Sequence, residues 1–232
     1  MKKIQVIIID DERNAREEIK RLLHSYPDFE VAGEARNAEE AKILIDLKQP
    51  ALLFLDIQMP GKSGFDLLES LEEVPQVIFT TAFDQYAVKA FEINALDYLM
   101  KPIREERFTK AMEQVKLGGA LERASHAIFV KDRQYYHFIS WNKVHLITSM
   151  DNYARLFFDS KNVFLKTSLN QLEKKLDESV FFRVNRTQII NLRFVDQVKI
   201  AEGGRLNISL LTGEVIEVSD RQSARFRKIN QL

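Results

Sequence analysis

The first half of the chain alternates unbroken apolar runs with stretches whose apolar residues recur every three or four positions, and the second half is a succession of short β-branched or aromatic runs broken by turn residues. Runs at 4–9 (IQVIII), 51–55 (ALLFL), 77–79 and 95–100 lack polar alternation, which predicts strands buried on both faces of a parallel sheet. A short strand is expected at 29–35. Helical spacing at 14–24 places Ala15, Ile19, Leu22 and Leu23 on one face. At 38–47, after the potential N-cap Asn37, it presents Ala41, Leu44, Ile45 and Leu47. Further helices are predicted at 65–71, 86–91 and 104–116. Five strands alternating with five helices make a doubly wound α/β unit over 1–119. Gly118 and Gly119 stop its last helix, and a linker is expected over 120–126.

The remainder, 127–232, carries short strand signals at 127–130, 135–139, 144–149, 154–158, 163–166, 182–184, 188–191, 195–200, 206–210 and 215–218. Gly203-Gly204 and Thr212-Gly213-Glu214 have the composition of hairpin turns. One short helix interrupts the series: Ser168-Leu169-Asn170-Gln171 is a capping-box pattern, and Leu169, Leu172 and Leu176 follow along one face. The expectation is an all-β domain with one short helix.

Chemistry collects where the apolar runs of the first half end. Residues 51–55 lead into Asp56, with Met59-Pro60-Gly61 forcing the chain to turn away behind it; 4–9 leads into Asp10-Asp11-Glu12. In open α/β sheets the carboxyl ends of the strands form the site, and carboxylates gathered there repel one another unless a cation or protons neutralise them. Oxygen ligands with room for water suit Mg²⁺, and a divalent ion beside a carboxylate nucleophile suits phosphoryl transfer. The run at 77–79 delivers the hydroxyls of Thr80 and Thr81, and the run at 95–100 delivers the cation of Lys101-Pro102.

Acid pair, Asp, Thr and Lys-Pro, each ending a successive apolar strand, resemble the receiver domain of two-component response regulators. The resemblance implies that Asp56 takes a phosphoryl group from a sensor histidine kinase. Asp11 and Asp56 would bind Mg²⁺ directly, Asp10 through water, and Gln58 through its backbone carbonyl. Thr81 and Lys101 would hold the phosphoryl oxygens, and Tyr98 would turn inward on activation. It also implies a homodimer of the phosphorylated protein, formed around 86–91, 95–100 and 104–116.

Composition changes the picture at three points. There are no cysteines, so disulfides and thiolate metal sites are excluded. No apolar stretch reaches membrane-spanning length, and the first residues, MKKIQVIIIDDE, lack a leader pattern, so no membrane insertion and a cytoplasmic location are expected. Net charge is zero, yet residues 1–120 hold 16 Lys+Arg against 22 Asp+Glu and residues 121–232 hold 18 against 12, which points the second half toward a polyanion.

No helix-turn-helix pattern accompanies that charge. The string at 181–192, FFRVNRTQIINL, followed by Val218-Ser219-Asp220-Arg221, resembles instead the LytTR DNA-binding domain, which sends side chains from its loops into successive major grooves. The resemblance implies double-stranded promoter DNA as partner, with Asn152, Tyr153, Lys166, Asn185, Arg186 and Arg221 as candidate contacts. The family usually has Arg-x-His-Arg-Ser in the first string and Val-Ser-Arg in the second. Here Asn185 replaces His, Thr187 replaces Ser, and Asp220 takes the basic position, where an acid facing phosphates would repel them. Arg183 is a candidate for an internal ion pair, Asn191 for closing a turn, and Trp141 for packing in the β-domain. The four histidines share no metal-ligand spacing.

The sequence therefore reads as a phosphorylation-controlled transcriptional regulator and not a turnover enzyme. An Asp-nucleophile phosphatase of the haloacid dehalogenase type would need a second Asp two residues after Asp56, where Gln58 stands. A protein- or RNA-binding role for the β-domain is the alternative, although its strands lack an aromatic RNA-binding string.

Overall fold

The computed structural model describes residues 3–82, 96–117, 127–132 and 135–230, which fall into two units, Met1–Trp141 and Asn142–Leu232. The helix expected at 86–91 and the linker at 120–126 lie outside the described residues.

In the first unit, β1 (Ile4–Ile9), β2 (Phe29–Ala35), β3 (Leu52–Asp56), β4 (Gln76–Thr81) and β5 (Asp97–Met100) form a parallel sheet in the order β2-β1-β3-β4-β5. Helices α1 (Arg13–Leu23), α2 (Ala38–Lys48), α3 (Gly64–Glu69) and α4 (Glu105–Leu117) cover it. Successive strand residues point to opposite faces, so each central strand feeds two cores. Ile7, Ile9, Leu53, Leu55 and Phe79 pack with Ala41, Ile45, Phe65 and Leu68 on one side. Val6, Ile8, Leu52, Phe54 and Ile78 pack with Ile19, Leu22, Phe108 and Met112 on the other. This double burial is why the strands read as continuous apolar runs.

Asn37 caps α2 as expected, its side chain accepting from the Glu40 amide. Leu47 departs from expectation, being 71% exposed. At about 100° per residue it lies some 200° around the helix from the buried Ile45, on the solvent side.

A hairpin of β6 (Ala127–Asp132) and β7 (Tyr135–Ser140) also belongs to the first unit. The Val74 amide donates to the Ala127 carbonyl at 3.1 Å, and Phe129 is buried in the same core as Phe65. Contacts group this hairpin and Trp141 with the first unit.

In the second unit, β8 (Val144–Met150), β9 (Tyr153–Phe158), β10 (Lys161–Leu165), β11 (Phe181–Arg183) and β12 (Gln188–Asn191) form a sheet in the order β10-β9-β8-β12-β11. β13 (Val195–Ile200), β14 (Leu206–Leu210) and β15 (Val215–Val218) form a second, antiparallel sheet. Their inner faces meet in a core that includes Leu146, Phe182, Ile190, Leu206, Ile208 and Val218. Gly203, Gly204 and Gly213 take positive φ in the turns foreseen there.

Ser168 and Gln171 form the reciprocal capping box at the start of α5 (Leu169–Lys175). A further helix, α6 (Asp220–Asn230), was not foreseen. It buries a single large apolar side chain, Phe226, against Phe182, so no apolar period announces it; the available signal was the Ser219-x-x-Gln222 spacing.

Asn191 does close a turn. Fully buried, it donates from Nδ2 to the Val144 carbonyl at 3.0 Å and accepts from the Arg193 amide at 3.0 Å. Asn191→Ala removes both bonds and leaves the carbonyl of the buried Val144 without this partner; it is expected to cost about 1–3 kcal/mol, read as a lowered urea midpoint with unchanged slope.

Candidate functional site

The order β2-β1-β3 makes the chain leave the sheet in opposite directions after β1 and β3, opening a crevice at their carboxyl ends. Asp10 and Asp11 follow β1 there, and Asp56 ends β3. One carboxylate oxygen from each lies within 4.8 Å of the others, and no other such acid or histidine group occurs among the described residues. Asp10 is fully buried and Asp56 nearly so, while Asp11 is exposed.

Lys101 enters from the end of β5, whose register beside β4 is fixed by the Lys101 amide donating to the Thr81 carbonyl at 2.8 Å. Its Nζ lies 2.6 Å from Asp56 Oδ2, 2.8 Å from Asp10 Oδ2 and 3.5 Å from Glu12 Oε2. Backbone amides hold the remaining oxygens: Glu12 donates to Asp10 Oδ1 and Gln58 to Asp56 Oδ1, each at 3.0 Å. Burial pushes the Asp10 carboxyl up to about 6 against the opposing pull of Lys101, and burial also raises Asp56. Burial alone would lower Lys101, but its bonds to Asp10 and Asp56 outweigh that and raise it.

The donor set fits a hard divalent cation. Asp10 Oδ2 is buried and receives no well-angled hydrogen bond, although Lys101 lies beside it, and the three acids offer only oxygen. Thr81 is buried at the end of β4, and Gln58 is exposed just beyond Asp56. Tyr98 is half-buried on β5, packed against the core that contains Phe79.

In the second unit, strand pairing brings the candidate DNA contacts to one end of the five-stranded sheet. Met150 opposite Tyr153 leaves a tight turn holding Asn152, and Leu165 opposite Ala154 puts Lys166 at the same end. Gln188 opposite Thr148 brings up the loop containing Asn185 and Arg186. The Ser219 amide donates to the Val184 carbonyl at 3.0 Å, adding the start of α6 with Arg221. Asn152, Tyr153, Lys166, Arg186 and Arg221 are exposed there.

Asn185, expected among the DNA contacts, is half-buried and bonded within the protein. Its Nδ2 donates to Gln188 Oε1 at 2.8 Å and to the Glu217 carbonyl at 3.1 Å, while its Oδ1 accepts from the Thr187 amide and hydroxyl at 2.9 and 3.1 Å. Both amide hydrogens and both lone pairs are engaged, so the side chain shapes the loop and ties it to β15. Asp220 does not stand as an unpaired acid: Arg205 donates to both of its oxygens, at 2.8 and 3.2 Å, and holds its carboxyl below the usual range.

Arg183 is the internal pair foreseen as one option, and more. It reaches Glu173 and Asn170 on α5 at 2.8 and 2.6 Å and the carbonyls of Asn185 and Arg186 at 3.1 and 2.8 Å, clamping the loop that displays Arg186. The role of Arg205 had no local signal, since Arg205 and Asp220 are brought together by the β14–β15 pairing.

A doubly wound sheet with three acids and a lysine at its switch point, and a separate two-sheet β unit displaying basic loops, define a class of two-part signalling proteins. Residues 6–113 match the response regulator receiver domain family and residues 134–231 the LytTr DNA-binding domain family. The sensory transduction protein LytT of Enterococcus faecalis (strain ATCC 700802 / V583) is 31% identical over 97% of this chain and 98% of its own length. The transcriptional regulatory protein BtsR of Escherichia coli (strain K12) is 32% identical over 94% and 95%. The chain belongs to the response regulators that join a receiver domain to a LytTr DNA-binding domain, and it works as a DNA-binding regulator under phosphorylation control.

The raised carboxyl of Asp10 sets a pH dependence. The folded protein holds this proton more tightly than the unfolded chain between 3.8 and about 6, so its contribution to stability is present below that window and is lost as pH rises through about 6. In EDTA, the melting temperature of Asp10→Asn relative to wild type is expected to climb across this interval, whereas Mg²⁺ at neutral pH should stabilise only the wild type. Melting curves at stepped pH, with and without Mg²⁺, check both signs.

Proposed function

We propose that Asp56 is the phosphoryl acceptor and that Asp10, Asp11, Asp56 and the Gln58 carbonyl form a Mg²⁺ site beside it. The observation that carries this reading is Lys101 bridging two buried carboxylates at the sheet's switch point, a charge balance that an arriving phosphoryl group would reset. An Asp56 oxygen attacks the phosphorus of a phosphohistidine on the sensor kinase, the imidazole leaves, and an acyl phosphate remains. Bound Mg²⁺ would supply neutralisation of charge on the transferring group. Lys101 exchanges its carboxylate partner for phosphoryl oxygens, which the Thr81 hydroxyl also meets. Tyr98 and β5 respond, and the population shifts toward a homodimer. The receiver assists its own phosphorylation and dephosphorylation but is no turnover enzyme, and the protein acts in the cytoplasm on promoter DNA.

For DNA, we assign base reading to Arg186 and Arg221, backbone contact to Lys166, and groove-edge contact to Asn152 and Tyr153. Asn185 and Arg183 are positioning residues. Support comes from the loops' shared position at one end of the sheet and from the clamp that fixes the Arg186 backbone.

With acetyl phosphate and Mg²⁺ the protein is expected to gain one acid-stable, base-labile phosphoryl group, and Asp56→Asn to gain none; label surviving in that variant refutes the acceptor. On a duplex selected from a random pool, Arg186→Ala is expected to lose about 1–3 kcal/mol with little loss on random DNA. Lys166→Ala should weaken both alike and reduce the salt slope by about 0.9. An unchanged specific-to-random ratio in Arg186→Ala removes it from the groove.

A further inference from the structure

One connection away from Asp56 runs through α3. A Cβ added at Gly64, the first residue of that helix, would lie 2.4 Å from the Asp56 carbonyl oxygen, and the Gly64 amide donates to the Ile57 carbonyl at 2.9 Å. Ser63 and Asp66 close the helix start with a reciprocal capping box. The start of this six-residue helix is thus packed directly against the backbone of Asp56 and Ile57.

The next residue, Phe65, meets Phe79 edge-on at 5.2 Å, just before Thr80 and Thr81 on β4. Two further ring partners belong to the hairpin: Tyr136 of β7 stacks on it at 4.7 Å and Phe129 of β6 at 6.1 Å, and Phe138 then meets Phe129 edge-on at 4.9 Å. Lys131 lies 5.3 Å over the Tyr136 ring and faces two acids of α3, Asp66 and Glu69. The Val74–Ala127 backbone bond pins the start of β6. Beyond β7 the chain passes through the short turn Trp141–Lys143 directly into β8, whose far end carries the Asn152 turn.

We infer that the α3 face of the receiver is an intramolecular docking surface for the β6–β7 hairpin, and that the state of Asp56 reaches the DNA-binding fold through this hairpin. The inference rests on phosphorylation of Asp56 as proposed above. Its aromatic rings carry displacement, since close-packed rings do not compress, and Lys131 sets the hairpin's orientation on the acids of α3.

The test uses the full chain, beryllofluoride with Mg²⁺ as the phosphoryl mimic, and the duplex that the wild type selects from a random pool. The quantity read is the ratio of DNA affinities with and without beryllofluoride. Tyr136→Ala removes the ring stacked on Phe65, and Lys131→Glu sets an acid against Asp66 and Glu69 from an exposed position that the fold does not need. Each is expected to draw the ratio at least about threefold toward one, while phosphoryl uptake and preference for the selected duplex stay within about twofold of wild type. Amide exchange in β6 and β7 of the wild type is expected to change when beryllofluoride is added. Should Tyr136→Ala fail to fold, Lys131→Glu decides. Unaltered ratios in the folded variants, or exchange indifferent to beryllofluoride, overturn this inference alone. A wild type whose DNA affinity ignores beryllofluoride overturns both the inference and the reading beneath it.

Discussion

Three carboxylates held within one crevice, two of them buried, are an arrangement that folding should resist. Desolvation and mutual repulsion both act against their charged forms, and Lys101, fixed at the end of β5, offsets them through contacts of 2.6 and 2.8 Å. The rest of the first unit can be understood as support for this balance. The parallel sheet fixes the register of β1, β3, β4 and β5, so that acids, hydroxyl and lysine arrive at one edge. Its two apolar faces bury the strands deeply enough that nothing but the crevice relieves the charge. A phosphoryl group on Asp56, as proposed, would add negative charge and acceptor oxygens around Lys101, so that a single covalent event would reset the balance in the crevice.

The second unit meets a different constraint. A loop proposed to read DNA must hold its orientation, because a loop free to move loses discrimination among bases. Here internal hydrogen bonds supply the rigidity. Arg183 grips two successive carbonyls of the loop bearing Arg186, Asn185 fastens that loop to the Glu217 carbonyl, and the Val184–Ser219 backbone bond joins it to the start of α6. Arg205, gripping Glu217 and Asp220, braces the same corner from β14. The departures of this sequence from the usual family strings fall within this framework. Asn185 forms its four internal bonds, and the acid at 220 is paired by Arg205.

The hairpin of β6 and β7 lies between the two folds in chain order and shares contacts with the first unit. Its strand pattern resembles that of the β half, and by sequence it belongs there. Its side chains nevertheless pack in the receiver's core: Phe129 and Tyr136 both stack on Phe65. A continuous chain segment that fills one core and leads directly into the next fold is placed to transmit motion.

Much of this protein is legible in its amino-acid order alone. Buried parallel strands need apolar residues on both faces, so β1, β3 and β4 stand out as unbroken runs. The residues that end them are polar because the sheet edge is where water and charge are admitted. Asp10, Asp11, Asp56, Thr81 and Lys101 were therefore readable from local pattern, as was the Ser168 cap, which is built within four residues. Tertiary structure alone decided what depends on partners distant in sequence. Helix α6 is held by Phe226 packing on Phe182, not by a periodic face of its own. The fate of Asn185 turned on a carbonyl 32 residues away, that of Asp220 on an arginine 15 residues away, and that of the hairpin on an aromatic ring in α3. Local sequence encodes which groups are charged, capped or apolar, whereas which of them meet is set by strand register and packing, and that is where the work of each polar side chain is assigned.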